Sequence, residues 1–302
     1  MRLFACTMAC FSGADRSPGC DSPAGHRSGT LRRLSLLLRA TASYAVITAL
    51  IIPTPALAGP EGGNVVSGSA SITQTGPVTD ITQSSAKAII NWQGFSIAPS
   101  ETVNFHQPDA SSVVLNRVIG NESSLIQGAL NANGQVFIVN SNGILFSDTA
   151  NVNVGGLVAS TLDISNDDFL AGNYTFAGNS TASVVNKGQI SATQGGYISL
   201  MGNTVSNQGV ITATLGTVAL ASGKKTTLNF GGNSLVDVTI DQGVLNALVE
   251  NRQLIRADGG RVIMTARAAD AILSAQVNNS GIVQARTMAA LTGFWQARRI
   301  GA

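Results

Sequence analysis

A short pattern recurs in the second half of the chain and limits what it can fold into. "NKGQISA" begins at Asn186, "NQGVITA" at Asn207, "NRQLIRA" at Asn251 and "NSGIVQA" at Asn279. Each unit opens on Asn, usually has Gly two residues later, then a β-branched residue, and ends on Ala. A second strand-like run follows the first three: "GGYISLM" at Gly195, "LGTVALA" at Leu215 and "GGRVIMT" at Gly259. The intervals between the four Asn are 21, 44 and 28 residues. They read as one unit, two units with a degenerate middle, and one unit with a short insertion. Recurrence at about 20 residues in Asn- and Gly-rich β sequence is the mark of a solenoid.

Within each unit the residues alternate as strands do. Ile190 and Ala192, Ile211 and Ala213, Ile255 and Ala257, and Val283 and Ala285 are expected to face inward. So are Ile198 and Leu200, Val218 and Leu220, and Val262 and Met264. Stacking the units sets like residue on like residue while backbone hydrogen bonds run from coil to coil, which is a parallel β-helix. Gly and Asn are expected at the corners, where positive φ costs them little. A stacked array of hairpins is the alternative, but hairpins need antiparallel neighbours every 8–12 residues or so and leave no residue-by-residue echo at this interval. On this reading the chain after residue 58 forms roughly eleven coils, each rising about 4.8 Å, in a rod near 50 Å long. "QGVLNALVENRQL" at 242–254 is the best helix candidate, as an insertion between coils.

Composition agrees. Only 11% of residues are charged, against about 25% in ordinary globular proteins. Bulk disorder normally carries high charge and few apolar residues, so a packed β structure fits better.

The N-terminus reads as a targeting segment. Arg27, Arg32, Arg33 and Arg39 precede an apolar run from Tyr44 to Ile52, and "PTPALA" follows, with Ala56 and Ala58 at the small-residue positions of a cleavage site. That order is a secretory signal peptide cut after Ala58. The apolar run is too short to be a membrane span. Residues 1–26 match no signal-peptide pattern. Removing residues 1–58 takes six of the 18 basic and two of the 16 acidic residues, leaving 12 and 14 and a net charge of −2. The basic character of the whole chain therefore sits in the leader and gives no support for nucleic-acid binding. Cys6, Cys10 and Cys20 also precede the cut, so the mature chain has no disulfide or cysteine metal site.

The stretch "NANGQVFIVNSNGILF" at 131–146 holds two Asn-Gly pairs, a hairpin signal in isolation. It also resembles, with "IINWQGFSI" at 89–97, "ETVNFHQPDASSVVLNRVIG" at 101–120 and "ANVNVGGLVASTLDI" at 150–164, the haemagglutination-activity domain that opens two-partner secretion exoproteins such as filamentous haemagglutinins. The resemblance covers most of 62–178, and the repeats after 179 continue as that family's β-helix does.

The resemblance implies an all-β, right-handed single-stranded parallel β-helix with an N-terminal capping segment and small antiparallel additions. On it, 59–178 form the cap and first coils, 179–286 continue the repeats, and 287–302, which break the pattern and carry Trp295, Arg298 and Arg299, are an irregular tail. Within the cap, Val65–Ile97 offers Trp92 and Phe95 to close the open end of the first coil, or as ordinary core. The resemblance further implies export to the periplasm, recognition by an outer-membrane barrel with POTRA domains, and folding at the surface of a Gram-negative cell, with host-cell or surface glycans as possible ligands and no membrane span. The family's Asn-Pro-Asn-Gly-Ile motif falls on Asn140, Ser141, Asn142, Gly143 and Ile144, with Ser141 in place of proline. Asn116 and Arg117, in the second stretch, are carried with it as candidate partner-binding residues. The motif serves either partner contact or only the geometry of a β-helix corner. The 131–146 stretch then supplies two corners of one coil, with "QVFIV" and "ILF" as strands.

Some β-helices cleave polysaccharides, so a carbohydrate-active enzyme is the competing function. The evidence for chemistry is thin. His106 is the one histidine after residue 58 and stands in β sequence beside Pro108. "DISNDD" at 163–168 begins like a calcium loop but has Asp168 where that loop needs Gly and Tyr174 where it needs Glu. Acidic residues are scattered rather than paired, and no phosphate-binding Gly loop runs from a strand into a helix. No catalytic residue, cofactor or metal is expected.

Overall fold

In the computed structural model, residues 59–230, 236–269 and 275–286 are described. Ala56, Ala58 and the tail from 287 lie outside them.

The chain winds as a parallel β-helix of three faces. The first face stacks β3 (Val78–Gln83), β5 (Thr102–His106), β8 (Ala129–Ala132), the start of β11 (Asn151–Ser160), the start of β14 (Gln189–Gly202), β16 (Val210–Thr212), β21 (Leu254–Arg256) and β24 (Ile282–Gln284), all parallel. The second face stacks β4 (Lys87–Trp92), β6 (Val113–Val118), β9 (Gln135–Val139), the ends of β11 and β14, β17 (Thr217–Ser222) and β22 (Arg261–Ala266). The third stacks β7 (Ser124–Ile126), β10 (Ile144–Phe146), β13 (Ser183–Asn186), β15 (Thr204–Asn207), β20 (Leu248–Asn251) and β23 (Gln276–Asn279). β9 and β10 belong to different faces, so the 131–146 stretch is two strands and two corners of one coil and not a hairpin.

Because the register is residue on residue, the interior is built of columns. One runs Val103, Leu130, Val152, Ile190, Ile211 and Ile255. A second runs Val114, Val136, Leu157, Ile198 and Val218. All of these are buried. Every inward assignment of Ile190, Ile211, Ala213, Ile255, Ala257, Ile198, Leu200, Val218 and Leu220 is met; Ala192, Val262 and Met264 are half-buried against the same core. Val283 continues the first column in register but is 39% exposed, and Ala285 is exposed too, because β24 is the last described rung and lacks a following one among the described residues.

Three expectations need correction. First, the described residues form fewer than eleven coils: the longest face has eight rungs among them, with seven spacings of about 4.8 Å that span roughly 34 Å. One coil of the excess comes from reading the 44-residue interval as two units; residues 64–75 and 163–177 account for more, since they add length without adding rungs. Asn207 pairs directly with Asn251, so the interval is one coil with an insertion, which forms the hairpin β18 (Lys225–Phe230) and β19 (Val236–Gln242). Second, 242–254 is not helical; it runs into β20, on the third face. The described helix is α1, Asn166–Ala171, in the stretch read above as a failed calcium loop. Ser165 caps it, accepting from the Asp168 N–H at 3.1 Å and donating to the Asp168 carboxylate at 2.6 Å, a reciprocal cap of the S-x-x-D kind. Third, the repeating Asn are not at positive φ. Among the described non-glycine residues, only Leu215 and Asn246 are.

The repeating Asn serve another purpose. Asn186 donates from Nδ2 to Asn207 Oδ1 at 2.8 Å, Asn207 to Asn251 at 2.7 Å, and Asn251 to Asn279 at 2.8 Å. Asn186 and Asn207 also accept the N–H of the Gly two residues on, Gly188 and Gly209. The first three Asn are fully buried. The ladder replaces an apolar column, since Ile126 and Phe146 occupy the same register on the two earlier rungs. A polar side chain is tolerated here because each amide is satisfied by the one above it. The companion glycines are required by close approach: a Cβ on Gly209 would lie 2.2 Å from the Gly188 carbonyl oxygen.

The ends and the outside are managed separately. Before the first coil, β1 (Asn64–Ser67) lies antiparallel on β4 and β2 (Ala70–Thr75) antiparallel on β3, covering the open edges of the first rungs. Trp92 and Phe95 belong to the first coil, buried and edge-to-face with centroids 5.5 Å apart. Gly63 of the cap lies on the Trp92 ring, with no room for a Cβ. On the outer side of the second face, Ile89, Leu115, Phe137 and Val158 form a second core. It is covered by α1 and by an antiparallel sheet of β12 (Thr175–Ala177), β18 and β19, drawn from two insertions distant in sequence.

Two substitutions test this packing. Asn207→Ala orphans the Asn186 donor and the Asn251 acceptor at once and is expected to cost about 2 kcal/mol or more. Ile211→Asp puts an unpaired carboxylate mid-column and is expected to cost several kcal/mol. Urea unfolding midpoints measure both; a wild-type midpoint for either contradicts the corresponding column.

Candidate functional site

The corner between the second and third faces, after β9, holds the motif residues. Asn140 follows the strand and keeps its ladder bond, donating to the Ser160 carbonyl at 3.0 Å. The chain then reverses over Ser141 and Asn142, closed by the Gly143 N–H on the Asn140 carbonyl at 3.1 Å. Gly143 has φ 110°, a left-handed value that a β-branched residue resists, which is the geometric reason for glycine. Its carbonyl accepts from Ser124 on the preceding rung at 3.0 Å. Ile144 then drops into the core.

The motif divides into a buried half and an exposed half. Asn140 is fully buried, and its amide is saturated: Nδ2 donates to the Glu122 carbonyl at 2.9 Å and to Ser124 Oγ at 3.0 Å, while Oδ1 accepts the Asn142 N–H at 2.9 Å. It ties the corner to the coil before it. Ser141 and Asn142 are exposed. Asn142 donates from Nδ2 to the Gly120 carbonyl at 2.9 Å and leaves its Oδ1 without a hydrogen bond among the described residues. The turn backs an open polar groove lined by Glu122, Ser123, Ser141, Asn142, Ser180 and Thr181. Ser180, from the insertion after β12, donates to the Ser141 carbonyl at 2.6 Å. Nothing in the sequence pointed to Glu122, Ser123, Ser180 or Thr181, because only the winding of the chain brings the 120s and the 180s to this corner.

Asn116 and Arg117 sit elsewhere. Asn116 occupies an inward column between Ile90 and Ile138 and is fully buried. It accepts from Trp92 Nε1 at 3.0 Å and donates to the Phe137 carbonyl at 3.3 Å, so both ends of the amide hold the first coils together. Arg117 points outward on the same strand. Its guanidinium donates to Asp163 at 2.8 Å, to Asn166 at 2.7 Å and to the Ile164 carbonyl, pinning the segment that leads into α1. Neither side chain is free at the groove. Lys87 secures the other end of α1, donating to the Phe169 and Leu170 carbonyls at 2.9 Å each, over the rings of Phe169 and Tyr174. A cation suits a helix C-terminus, and burial lowers its pKa.

The candidates for chemistry are surface pairs. His106 Nε2 lies 3.0 Å from Asp80 on the outer side of the first face. Hydrogen bonds from Asn104, then from His106, lower the Asp80 pKa. Asn104 in turn accepts from Asn131 at 3.0 Å, so this is a rung-to-rung polar ladder on the outer face. Among the described residues no three His, Cys, Asp or Glu gather as a metal site. None of the described helices is long and apolar enough to cross a membrane.

Comparison with known proteins places this architecture. The family described as TPS secretion domain matches residues 56–300. The Heme/hemopexin-binding protein of Haemophilus influenzae strain Rd is 35% identical over 206 residues, covering 66% of this chain and 23% of that protein. A second Heme/hemopexin-binding protein of Haemophilus influenzae is 37% identical over 147 residues, 48% of this chain and 15% of that one. The chain thus spans less than a quarter of the length of these relatives. The crystal structure of the HMW1 secretion domain from Haemophilus influenzae superposes with a TM-score of 0.62 at 34% identity, covering 75% of this chain and 64% of that one.

The Ser141 N–H makes no hydrogen bond among the described residues, and Ser141 is the second residue of the turn. Proline is favoured at that position. Ser141→Pro is therefore expected to raise stability by about 0.4–1 kcal/mol, by restricting the unfolded chain. A lowered urea midpoint would mean that the backbone here does not have the described turn.

Proposed function

The chain belongs to the TPS (two-partner secretion) domain family, and on that premise we propose that it is the export module of a secreted or surface exoprotein, addressed by residues 1–58. The leader is cut after Ala58. The module that remains is recognised in the periplasm, through the POTRA domains of an outer-membrane barrel, and folds once outside. TPS exoproteins are secreted or surface-associated in Gram-negative bacteria, which agrees with a leader of this composition.

The observation that carries the reading is the division of the motif at 140–144. A corner needed only for geometry would use Asn140 and Gly143, which are buried and bonded to the preceding rung. Ser141 and Asn142 are exposed and line the groove, and Asn142 Oδ1 has bonding capacity left over. Partner contact falls to these two residues, and Asn116 and Arg117 act by holding the first coils and α1 in place. The competing enzyme reading has no counterpart among the relatives, which are secretion domains and Heme/hemopexin-binding proteins.

The test is to express the chain with and without a cognate barrel and measure mature protein in the medium. Export is expected only with the barrel. Asn142→Ala removes two hydrogen bonds at the surface corner, to the Gly120 carbonyl and to Asn140 Oδ1, and the purified domain is expected to lose no more than about 1–2 kcal/mol while export falls. Asn140→Ala and Gly143→Val are expected to lose stability and export together, the first by orphaning buried groups and the second by forcing left-handed backbone on a β-branched residue. Full export of Asn142→Ala would remove the exposed amide from recognition.

A further inference from the structure

Glu101 is 4% exposed, at the turn that leads into β5. Oε2 accepts the Ala98 N–H at 2.8 Å, and Oε1 has no hydrogen-bond partner among the described residues. No salt bridge to Glu101 occurs among them either. A buried carboxylate held by one N–H is costly unless a cation or further donors meet it.

The backbone of Gly59 faces this carboxylate. A Cβ built on Gly59 would lie 3.8 Å from both Glu101 oxygens, and 3.3 Å from Gln74 Nε2. Bond lengths then put the Gly59 nitrogen no more than about 6 Å from the carboxylate. Gly59 and Pro60 are buried, and Glu61 is tied down by its N–H on the Gly94 carbonyl at 2.7 Å, so the start of the cap is held in place beside Glu101.

We propose that Glu101 is the receiving site for the α-amino group that leader cleavage creates at Gly59. This rests on the cut after Ala58 proposed above. Hydrolysis of the Ala58–Gly59 bond adds one water, leaving a carboxylate on Ala58 and an amine on Gly59 that takes up a proton. In the uncut chain the Gly59 nitrogen is an uncharged amide with one N–H. After the cut it is an ammonium with three donors and freedom to turn toward Oε1. Removal of the leader thereby adds an ion pair that fastens the cap strand to the first coils, and the cap reaches its full hold only on the processed chain. Proline at residue 60 has no N–H of its own to compete for the carboxylate.

The full chain, expressed with its leader and recovered from the periplasm, tests this. Mass analysis first establishes where it begins. The α-amino group is then acetylated near neutral pH and followed by mass. In the wild-type chain it is expected to react roughly tenfold more slowly than in Glu101→Gln, the change that one pKa unit of amine stabilisation produces. A variant with one alanine inserted between Ala58 and Gly59 moves the amine off the site. It is expected to react at the faster rate with or without Glu101→Gln, and to unfold at lower urea than wild type. A chain that begins elsewhere than Gly59 removes the leader reading and this pair with it. A chain that begins at Gly59 and reacts equally fast with and without Glu101 overturns the pair alone. Equal urea midpoints for the wild-type and inserted chains do the same.

Discussion

The structure depends on one constraint: every strand of a coil pairs in parallel, in register, with the strand above and below it. Backbone hydrogen bonds of this kind run between coils rather than within them, so no coil satisfies its own polar groups. The side chains inherit the register. Apolar residues stack into columns such as Leu130, Val152, Ile190 and Ile211, and a polar residue enters the interior where a neighbouring rung supplies its hydrogen-bond partners. The Asn186, Asn207, Asn251 and Asn279 ladder is that case, and Asn116, bonded to Trp92 and Phe137, is the single-residue version. The same constraint makes the first rung a problem, because its upper edge is unpaired. β1 and β2 resolve it by running antiparallel to the coils, so the cap is no part of the repeat.

A second core lies outside the helix and depends on the first. Phe137 belongs to β9 but points outward, where Phe169, Tyr174 and Phe176 meet it at centroid distances of 5.8, 5.3 and 6.1 Å. These come from the insertion that carries α1, and Leu228 and Val236 come from the later one. Arg117 and Lys87 clamp the two ends of α1 from the second face. The groove at 140–144 is bounded on one side by the end of the first insertion, through Ser180. The first coils, the cap and the insertions therefore set the shape of the proposed recognition corner together, although its exposed residues are few.

Much of this was legible in the sequence because a solenoid writes its register into the chain. Ile190, Ile211 and Ile255 recur at the repeat, and the structure stacks them as they were read. What was not legible has physical reasons. The 44-residue interval looked like two coils because the hairpin of β18 and β19 has the same β-forming composition as a coil, and only Asn207 on Asn251 reveals the difference. The repeating Asn suggested left-handed corners because Asn tolerates them; its use as a rung-to-rung amide needs a neighbour that sequence alone does not place. The capping pair Ser165 and Asp168 is present in "SNDD", where the spacing of oxygen ligands also imitates the start of a metal loop and hides the cap. At the recognition corner, Gly143 could be foreseen at positive φ from its Asn-Gly context. The groove residues from the 120s and 180s could not, since they meet only after the chain has wound.

Amide hydrogen exchange on the processed chain tests the central claim most directly, since rung-to-rung pairing is what it measures. The amides of Leu157, Ile198, Val205 and Ile211, which lie in paired rungs mid-stack, are expected to exchange only through global unfolding. Ser141 and Asn142 at the exposed corner are expected to exchange by local opening while the rungs on either side stay protected. Fast exchange across β14–β17, at the rate of the exposed corner, would contradict an in-register parallel stack and the account built on it.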